Sequence, residues 1–280
     1  MKSLKNFIAE NYLAVLTFFF AITICQYTGN RGVFPIDSFS HFDTGYRILN
    51  GEHPFKDYWT VSGPFVDYLQ GLIFYIFGTN WQTYLLNASL LNGLVSVATY
   101  YIFTNLDLNK NLSFFYAICF SILAYPSSGT PFVDHHSTFL SILGIYSFIL
   151  AIKTNKTIFW ASLPIFILFA FLSKQVPAFY LLLSISIVLF YHLVQIKKQT
   201  IYKIILILFS SSLLTIIFLI LFFKFNSIDI KDFLIQYLFY PSTIGGERYN
   251  QLNYDLKKFF LDFKFIYISL FILFILIIVR

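Results

Sequence analysis

Long apolar runs alternate with short polar connections along most of the chain. A bilayer core needs about 20 apolar residues per helix, and a helix satisfies its own backbone hydrogen bonds within lipid. The pattern therefore predicts an all-α, polytopic membrane protein with about eight transmembrane helices. We expect them at 9–27, 84–103, 112–125, 137–152, 158–172, 178–195, 204–223 and 265–279.

Two long polar segments interrupt this pattern, at 28–83 (the first polar segment) and 224–264 (the second polar segment). The whole chain, 1–280, is interpreted as a single membrane domain that contains both. Its composition is 58% hydrophobic and 11% charged, whereas soluble chains carry about 25% charged residues. Soluble enzymes, nucleic-acid binders and disulfide scaffolds are excluded, and Cys25 and Cys119 both lie inside apolar runs.

The charges of the short connections predict an orientation. With the N-terminus in the cytoplasm, the cytoplasmic side collects nine basic residues and two acidic ones, as the positive-inside rule requires. These are Lys2, Lys5, Lys110, Lys153, Lys156, Lys197, Lys198, Lys203 and Arg280, with Glu10 and Asp107. Both polar segments then lie outside the cytoplasm. The composition suits a bacterial inner (plasma) membrane.

The first polar segment is patterned as two interfacial helices. Pro35 at a helix start is followed by an apolar stripe, and Asn50–Gly51 end this helix. The stripe consists of Ile36, Phe39, Phe42, Tyr46 and Leu49, and the other face carries Asp37, Ser40, His41 and Thr44. Gly63–Pro64 open a second amphipathic helix, which Gly78 ends.

Asp37 is the strongest catalytic candidate. It directly follows the first span at a helix start, so it would lie near the headgroup plane, where a carboxylate can act as a general base. The alternative is that Asp37 is only an ordinary polar residue on the solvent-exposed face of this helix.

The segment FPIDSFSHFDTGYRILNGEHPFKDYWTVSGPFVDYLQGLIFYIFG resembles the first outer loop of the C superfamily of membrane-embedded glycosyltransferases. It is similar to the branch of bacterial protein mannosyltransferase-like enzymes, aminoarabinose transferase and core galacturonosyltransferases. The shared features are an acidic residue after the first span, Ile-Leu-x-Gly-x-x-Pro, Asp-Tyr and a Gly-Pro helix start. They correspond here to Asp37, Ile48–Pro54, Asp57–Tyr58 and Gly63–Pro64.

The segment departs from its relatives at two positions. Many of them carry Asp-Glu where this chain has Asp37–Ser38, and Lys-Pro-Pro where it has Ser62–Gly63–Pro64. The first difference removes a second carboxylate. The second removes a cation near the substrate.

The resemblance implies a glycosyltransferase that moves a sugar from a polyprenyl-phosphate donor to an extracytoplasmic lipid, glycan or protein of the cell envelope. Asp37 would then deprotonate the acceptor hydroxyl. Lys174, in Ser173-Lys174-Gln175-Val176-Pro177, is similar to the family's phosphate-binding lysine. The alternative for Lys174 is a lysine that only snorkels to the interface.

Other polar residues complete the candidate site. Asp134–His135–His136 begin the predicted fourth span, where free N–H groups and imidazolium charge favour an anion such as phosphate. A metal site there is the rival, although the i, i+4 spacing of helical metal ligands is absent; Asp134 is alternatively a helix cap. Asp57 and Tyr58 would orient the sugar or the acceptor.

In the second polar segment, Gly245–Gly246 beside Glu247 and Arg248 predict a mobile loop over bound substrate, with an ordinary solvated loop as the alternative. Arg248 is a further substrate-binding candidate. The sequence has no Walker, Rossmann or zinc-ligand pattern. We therefore expect no cofactor and no nucleic-acid partner. The sequence does not indicate a divalent metal and leaves metal dependence open.

Two other functions remain open. A transporter or flippase of a lipid-linked sugar would also place polar groups near the bilayer, but the predicted spans contain few ionisable residues. A truncated, non-catalytic relative is the second alternative, because the chain stops at Arg280, directly after its last apolar run.

Overall fold

The protein is helical throughout the part of the chain that its computed structural model describes, residues 11–32, 39–250 and 255–279. Helix accounts for 83% of the structure, and these residues form no strand. The all-α prediction is therefore confirmed.

Thirteen α-helices are described within these ranges. They are α1 Tyr12–Gly29, α2 Ser40–Leu49, α3 Pro64–Phe77, α4 Trp81–Asn105, α5 Lys110–Leu123, α6 Val133–Thr154, α7 Thr157–Ser173, α8 Gln175–Gln195, α9 Lys198–Phe225, α10 Ile230–Leu234, α11 Tyr240–Asn250, α12 Leu256–Asp262 and α13 Lys264–Val279. A 3₁₀ turn, Tyr125–Ser127, precedes α6, and a π-helical turn, Ile235–Phe239, follows α10.

Five described helices are long and apolar enough to cross a membrane: α1, α4, α6, α8 and α9. The number rises to six if α12 and α13, which meet at a 68° bend, form one span. The predicted number of eight is not confirmed. The runs at 112–125 and 158–172 do form helices, but α5 has only 14 residues and α7 only 17, short of the roughly 20 that a bilayer core needs.

Five apolar clusters form among the described helices, and two of them lie between the long helices. Cys25 of α1 packs with Ala88 and Val95 of α4 and with Phe139 of α6. Further along, Trp160 of α7 packs with side chains of α6, α8 and α9. The remaining faces of α8 and α9 are strongly apolar and exposed, as expected of helices that face lipid.

The two helices predicted in the first polar segment are present as α2 and α3. Asn50 and Gly51, the latter at φ 85°, end α2; Gly63 precedes α3, and Gly78 at φ 82° ends it. These predicted ends are confirmed. The predicted start at Pro35 lies outside the described residues.

The faces of α2 differ from the prediction. Phe39 and Tyr46, predicted on the apolar stripe, are about half exposed, whereas His41, predicted on the polar face, is buried. The reason is tertiary: α2 packs on α3, and a buried carboxylate of α3 accepts hydrogen bonds from α2.

Residues Phe239–Arg280 form a second compact unit. Within it, Gly245 and Gly246 lie in α11 rather than in the predicted loop. Glycine costs a helix about 1 kcal/mol relative to alanine but can adopt the helical conformation. The mobile-loop interpretation is therefore wrong for the backbone of this stretch.

Candidate functional site

The junction between α7 and α8, residues Ser173–Gln175, is the centre of the candidate site. Lys174 interrupts the helices with an extended backbone, φ −157° and ψ 137°. Its Nζ lies 2.6 Å from the carboxylate of Asp134 on α6, and both side chains are a little over one-third exposed. The Ser137 hydroxyl donates to the Lys174 carbonyl at 3.1 Å. The predicted residues Lys174 and Asp134 are thus brought together.

Asp134 does not cap α6, because no side chain caps that helix and Phe132 occupies the N-cap position. The capping alternative is therefore wrong. The Asp134 carboxylate instead pairs with the Lys174 ammonium, which has three N–H donors. One donor directed at Asp134 leaves capacity for an anionic oxygen.

The first polar segment packs directly on this junction. A Cβ placed on Gly63 would lie 1.8 Å from the carbonyl oxygen of Ser173, so only glycine fits there. Beside it, Phe65 of α3 stacks on Phe169 of α7 at 4.7 Å between ring centroids. These contacts fix the start of α3 against the end of α7.

The second polar segment reaches the same place. The Gln236 carboxamide accepts from the Thr60 N–H at 3.1 Å and donates to the Phe55 carbonyl at 3.1 Å. Next to it, the Tyr237 hydroxyl donates to a carbonyl of α7, and Gln175 donates to the Tyr237 carbonyl at 2.5 Å. Two segments far apart in sequence therefore meet at the α7–α8 junction.

An apolar cavity of about 150 Å³ lies between α3, α7 and α9 and reaches Leu172, near the end of α7. It is lined by residues that include Pro64, Tyr68, Leu172, Leu219 and Phe222. A larger apolar groove of about 420 Å³ lies between α7, α8 and α9. Both are lined mainly by apolar side chains.

The predicted pair Asp57 and Tyr58 lies in the turn between α2 and α3. The Asp57 carboxylate accepts from the His53 N–H at 2.8 Å. The Arg47 guanidinium lies 5.4 Å from the centre of the Tyr58 ring. Burial, reinforced by the charge of Asp67, raises the pKa of Tyr58, so its hydroxyl stays protonated and can donate a hydrogen bond.

The two predicted histidines have different surroundings. His136 is fully buried, and its ring nitrogens bond to the Tyr125 hydroxyl at 2.6 Å and to Asn87 Oδ1 at 2.9 Å. It has no ring nitrogen left for phosphate, so the anion-binding interpretation of His136 is corrected to a structural one. His135 Nδ1, in contrast, is buried without a hydrogen-bond partner among the described residues.

Sequence reasoning missed Asp67, a fully buried carboxylate on α3. Oδ1 of Asp67 accepts from His41 Nδ1 at 2.7 Å and from the Thr44 hydroxyl at 2.5 Å. A signal was present in the sequence: a carboxylate within an apolar helix is costly, so it must face protein and find a partner there.

Asp37 lies outside the described residues, and the side chain of Arg248 does as well. Their assigned roles therefore stay predictions. Among the described residues, no three His, Cys, Asp or Glu side chains are grouped to hold a metal ion.

Comparison with known families gives a match across residues 53–226, more than half of the chain. The matching family is described as dolichyl-phosphate-mannose-protein mannosyltransferase. The chain belongs to this family. It is therefore a multi-pass membrane protein of the glycosyltransferase C type, and the resemblance noted in its first polar segment is confirmed.

The matched region includes Asp57, Asp67, Asp134 and Lys174 and ends before Gln236. Comparisons with curated proteins and with solved structures gave no match.

Proposed function

We propose that this glycosyltransferase moves a sugar from a polyprenyl-phosphate carrier to a hydroxyl of an extracytoplasmic acceptor in the cell envelope. The observation that carries the proposal is the position of Lys174. Lys174 lies at a helix break where both long polar segments meet, its ammonium is paired with Asp134, and an apolar cavity reaches Leu172 near the adjoining end of α7. This arrangement suits a ligand with an anionic head and a hydrocarbon tail.

In this proposal the carrier's isoprenoid chain occupies apolar space between α3, α7 and α9, and its phosphate contacts Lys174. Asp134 orients the ammonium through the ion pair at 2.6 Å. His135 supplies a further donor. These groups offset the charge that develops on the leaving phosphate, commonly the largest contribution to such catalysis.

Asp37 acts as the base. It removes the proton from the acceptor hydroxyl while that oxygen attacks the anomeric carbon and the bond to the carrier phosphate breaks. The displacement is in line and inverts the configuration at the anomeric carbon. Asp57, Tyr58 and Arg248 orient the sugar or the acceptor.

The test uses a host that lacks the gene, complemented with wild type, with Asp37→Asn or with Asp107→Asn. Asp107 is the control for the same Asp-to-Asn change, because its carboxylate lies at an exposed turn, where it pairs with Lys153, and has no part in the proposed site. Mass spectrometry follows lipid-linked sugars and envelope glycans. Wild type and Asp107→Asn should consume one lipid-linked sugar and add its mass to an acceptor, whereas Asp37→Asn should not.

Retained transfer by Asp37→Asn would remove that residue from the mechanism. If wild type moves a lipid-linked sugar across the membrane without changing its covalent structure, the protein is a transporter. If wild type changes neither profile, a non-catalytic role is supported instead.

A further inference from the structure

α2 and α3 approach each other closely. A Cβ on Gly45 of α2 would lie 2.5 Å from Cγ of Gln70, and one on Gly71 of α3 would lie 2.7 Å from Cγ2 of Ile48. Glycine on both helices therefore lets the backbones come together. The short separation brings polar side chains of α2 within hydrogen-bond reach of α3.

Asp67 receives two of these side chains. Its Oδ1 accepts from both His41 and Thr44, one turn apart on α2, and the carboxylate is fully buried. Its Oδ2 has no hydrogen-bond partner among the described residues. Burying a carboxylate is costly, and a well-packed apolar pair in its place is often as stable or more stable. Stability of the α2–α3 pair therefore does not by itself account for these residues.

The position of the two donors suggests what the contact does. The described part of α2 begins at Ser40, three residues after Asp37, and His41 and Thr44 lie in its first two turns. Asp67 thus holds the end of α2 that is nearest in sequence to the proposed base. A misplacement of about 1 Å at a reacting group can cost about 100-fold in rate.

We propose that Asp67 is a positioning residue for the transfer reaction, acting through His41 and Thr44 to fix the start of α2, which follows Asp37 by three residues in the sequence. This inference rests on the proposed function. Asp67 touches neither donor nor acceptor in this role. It lowers the barrier by holding the start of α2 in one position.

The kinetic test compares purified wild type, Asp67→Asn, His41→Leu and the double variant His41→Leu/Asp67→Leu in lipid nanodiscs, with a polyprenyl-phosphate sugar as donor. For Asp67→Asn and His41→Leu we expect kcat to fall about 10- to 100-fold while the donor KM stays within about 2-fold. Asp107→Asn, the exposed control, should match wild type in both constants.

The double variant separates positioning from stability. Leucine at both positions removes the buried carboxylate together with the imidazole, and the Thr44 hydroxyl keeps the Ser40 carbonyl as an acceptor at 3.0 Å. Thermal stability should therefore return close to that of wild type. If Asp67 positions α2 through a directional contact, kcat stays low in this stable variant. A double variant that recovers kcat together with stability would overturn the proposal, and so would a raised donor KM with unchanged kcat.

A second readout does not depend on activity. Phe39, at the N-cap of α2, is about half exposed, so Phe39→Cys in a Cys25→Ser/Cys119→Ser background reports on the start of α2 through its maleimide labelling rate. Asp67→Asn should raise this rate several-fold, and Asp107→Asn should leave it unchanged. An unchanged rate in Asp67→Asn overturns the positioning role.

The two proposals fail differently. If wild type transfers no sugar from any lipid-linked donor, the proposed function fails, and a role of Asp67 in that reaction fails with it. If wild type is active and the Asp67 and His41 variants keep its kcat per folded protein, only the positioning inference is overturned.

Discussion

Gly63 lies where the first polar segment crosses the α7–α8 junction, and its missing side chain makes that crossing feasible. Gly63→Ala would drive a methyl group into the backbone of Ser173. We expect a loss of about 1 to 3 kcal/mol in the free energy of unfolding, the usual range for overpacking. Thermal unfolding of the detergent-solubilised protein measures the change.

Gly245→Ala provides the matched control, because its Cβ would meet open space on α11. Alanine should stabilise that helix by about 0.5 to 1 kcal/mol or leave it unchanged. Equal losses in the two variants would mean that the close approach at Gly63 is not the cause.

Lys174 and Asp134 form an ion pair, and the proposal assigns only the lysine to phosphate. Lys174→Met should lower kcat/KM about 100-fold or more, the size of effect typical when a group that stabilises developing charge is removed. The swapped variant Lys174→Asp/Asp134→Lys restores an ion pair between the same two positions. We expect the swap to recover thermal stability but not transfer, measured with the lipid-linked donor in nanodiscs.

Recovery of transfer in the swapped variant would show that the pair acts only through its contribution to folding. The ammonium would then need no fixed position on the α7–α8 junction.

At the scale of elements, a buried chain of hydrogen bonds joins α3, α4 and α6. Asn87 of α4 donates to Gln70 of α3 at 3.0 Å and accepts from His136 of α6, which also contacts Tyr125. Leaving a buried polar group without its partner costs about 1 to 3 kcal/mol. Asn87→Leu removes the hydrogen-bond partner of Gln70 on α3 and of His136 Nε2 on α6. We therefore expect it to lower the free energy of unfolding by at least that much in thermal unfolding.

Asn105→Leu is the control on the same helix, since Asn105 is exposed at the end of α4 and its side chain donates to the nearby Tyr101 carbonyl. Its effect should stay within about 0.5 kcal/mol. A comparable loss in both variants would indicate that the buried chain does not tie the three helices together.

The helices themselves were largely predictable, because long apolar runs have few alternatives in lipid and because Pro64, Asn50 and Gly78 mark ends through local backbone preference. The number of spans was not, since α5 and α7 are helical but short. Apolar length in a sequence does not fix where a helix ends relative to the bilayer.

The site was predictable only in part. Lys174 and Asp134 were recognised singly, but their pairing across 40 residues was not foreseen. Asp67 was missed, because its partners His41 and Thr44 lie on another helix and were assigned to a solvated face. Gln236 was missed for the same reason: its partners lie 176 and 181 residues away. Contacts of this kind depend on tertiary packing, which residue spacing does not reveal.

At the scale of the molecule, α6 extends from one side of the bundle to the other. It carries Asp134 in its first turn and Lys153 in its last, and 22 helical residues extend about 33 Å, close to the thickness of a bilayer core. With the predicted orientation, Lys174 faces the extracytoplasmic side and Lys153 the cytoplasm.

Cysteine labelling tests this orientation. In a Cys25→Ser/Cys119→Ser background, a membrane-impermeant maleimide added to intact cells should label Ser127→Cys, which is exposed beside the start of α6. It should label Lys156→Cys, exposed just after α6, only once the cells are opened. The reverse pattern would invert the topology and place Lys174 on the cytoplasmic side.

The contact of Gln236 with Phe55 and Thr60 has a consequence for biosynthesis. At about 5 to 20 residues per second, a ribosome needs on the order of 10 to 35 s to make the chain between Thr60 and Gln236. During that time the Thr60 N–H and the Phe55 carbonyl lack the Gln236 carboxamide, even though α2 and α3 have already been made. Assembly of the site is thus a late event in translation. A nascent chain that ends with the family-matched region, at residue 226, still lacks Gln236.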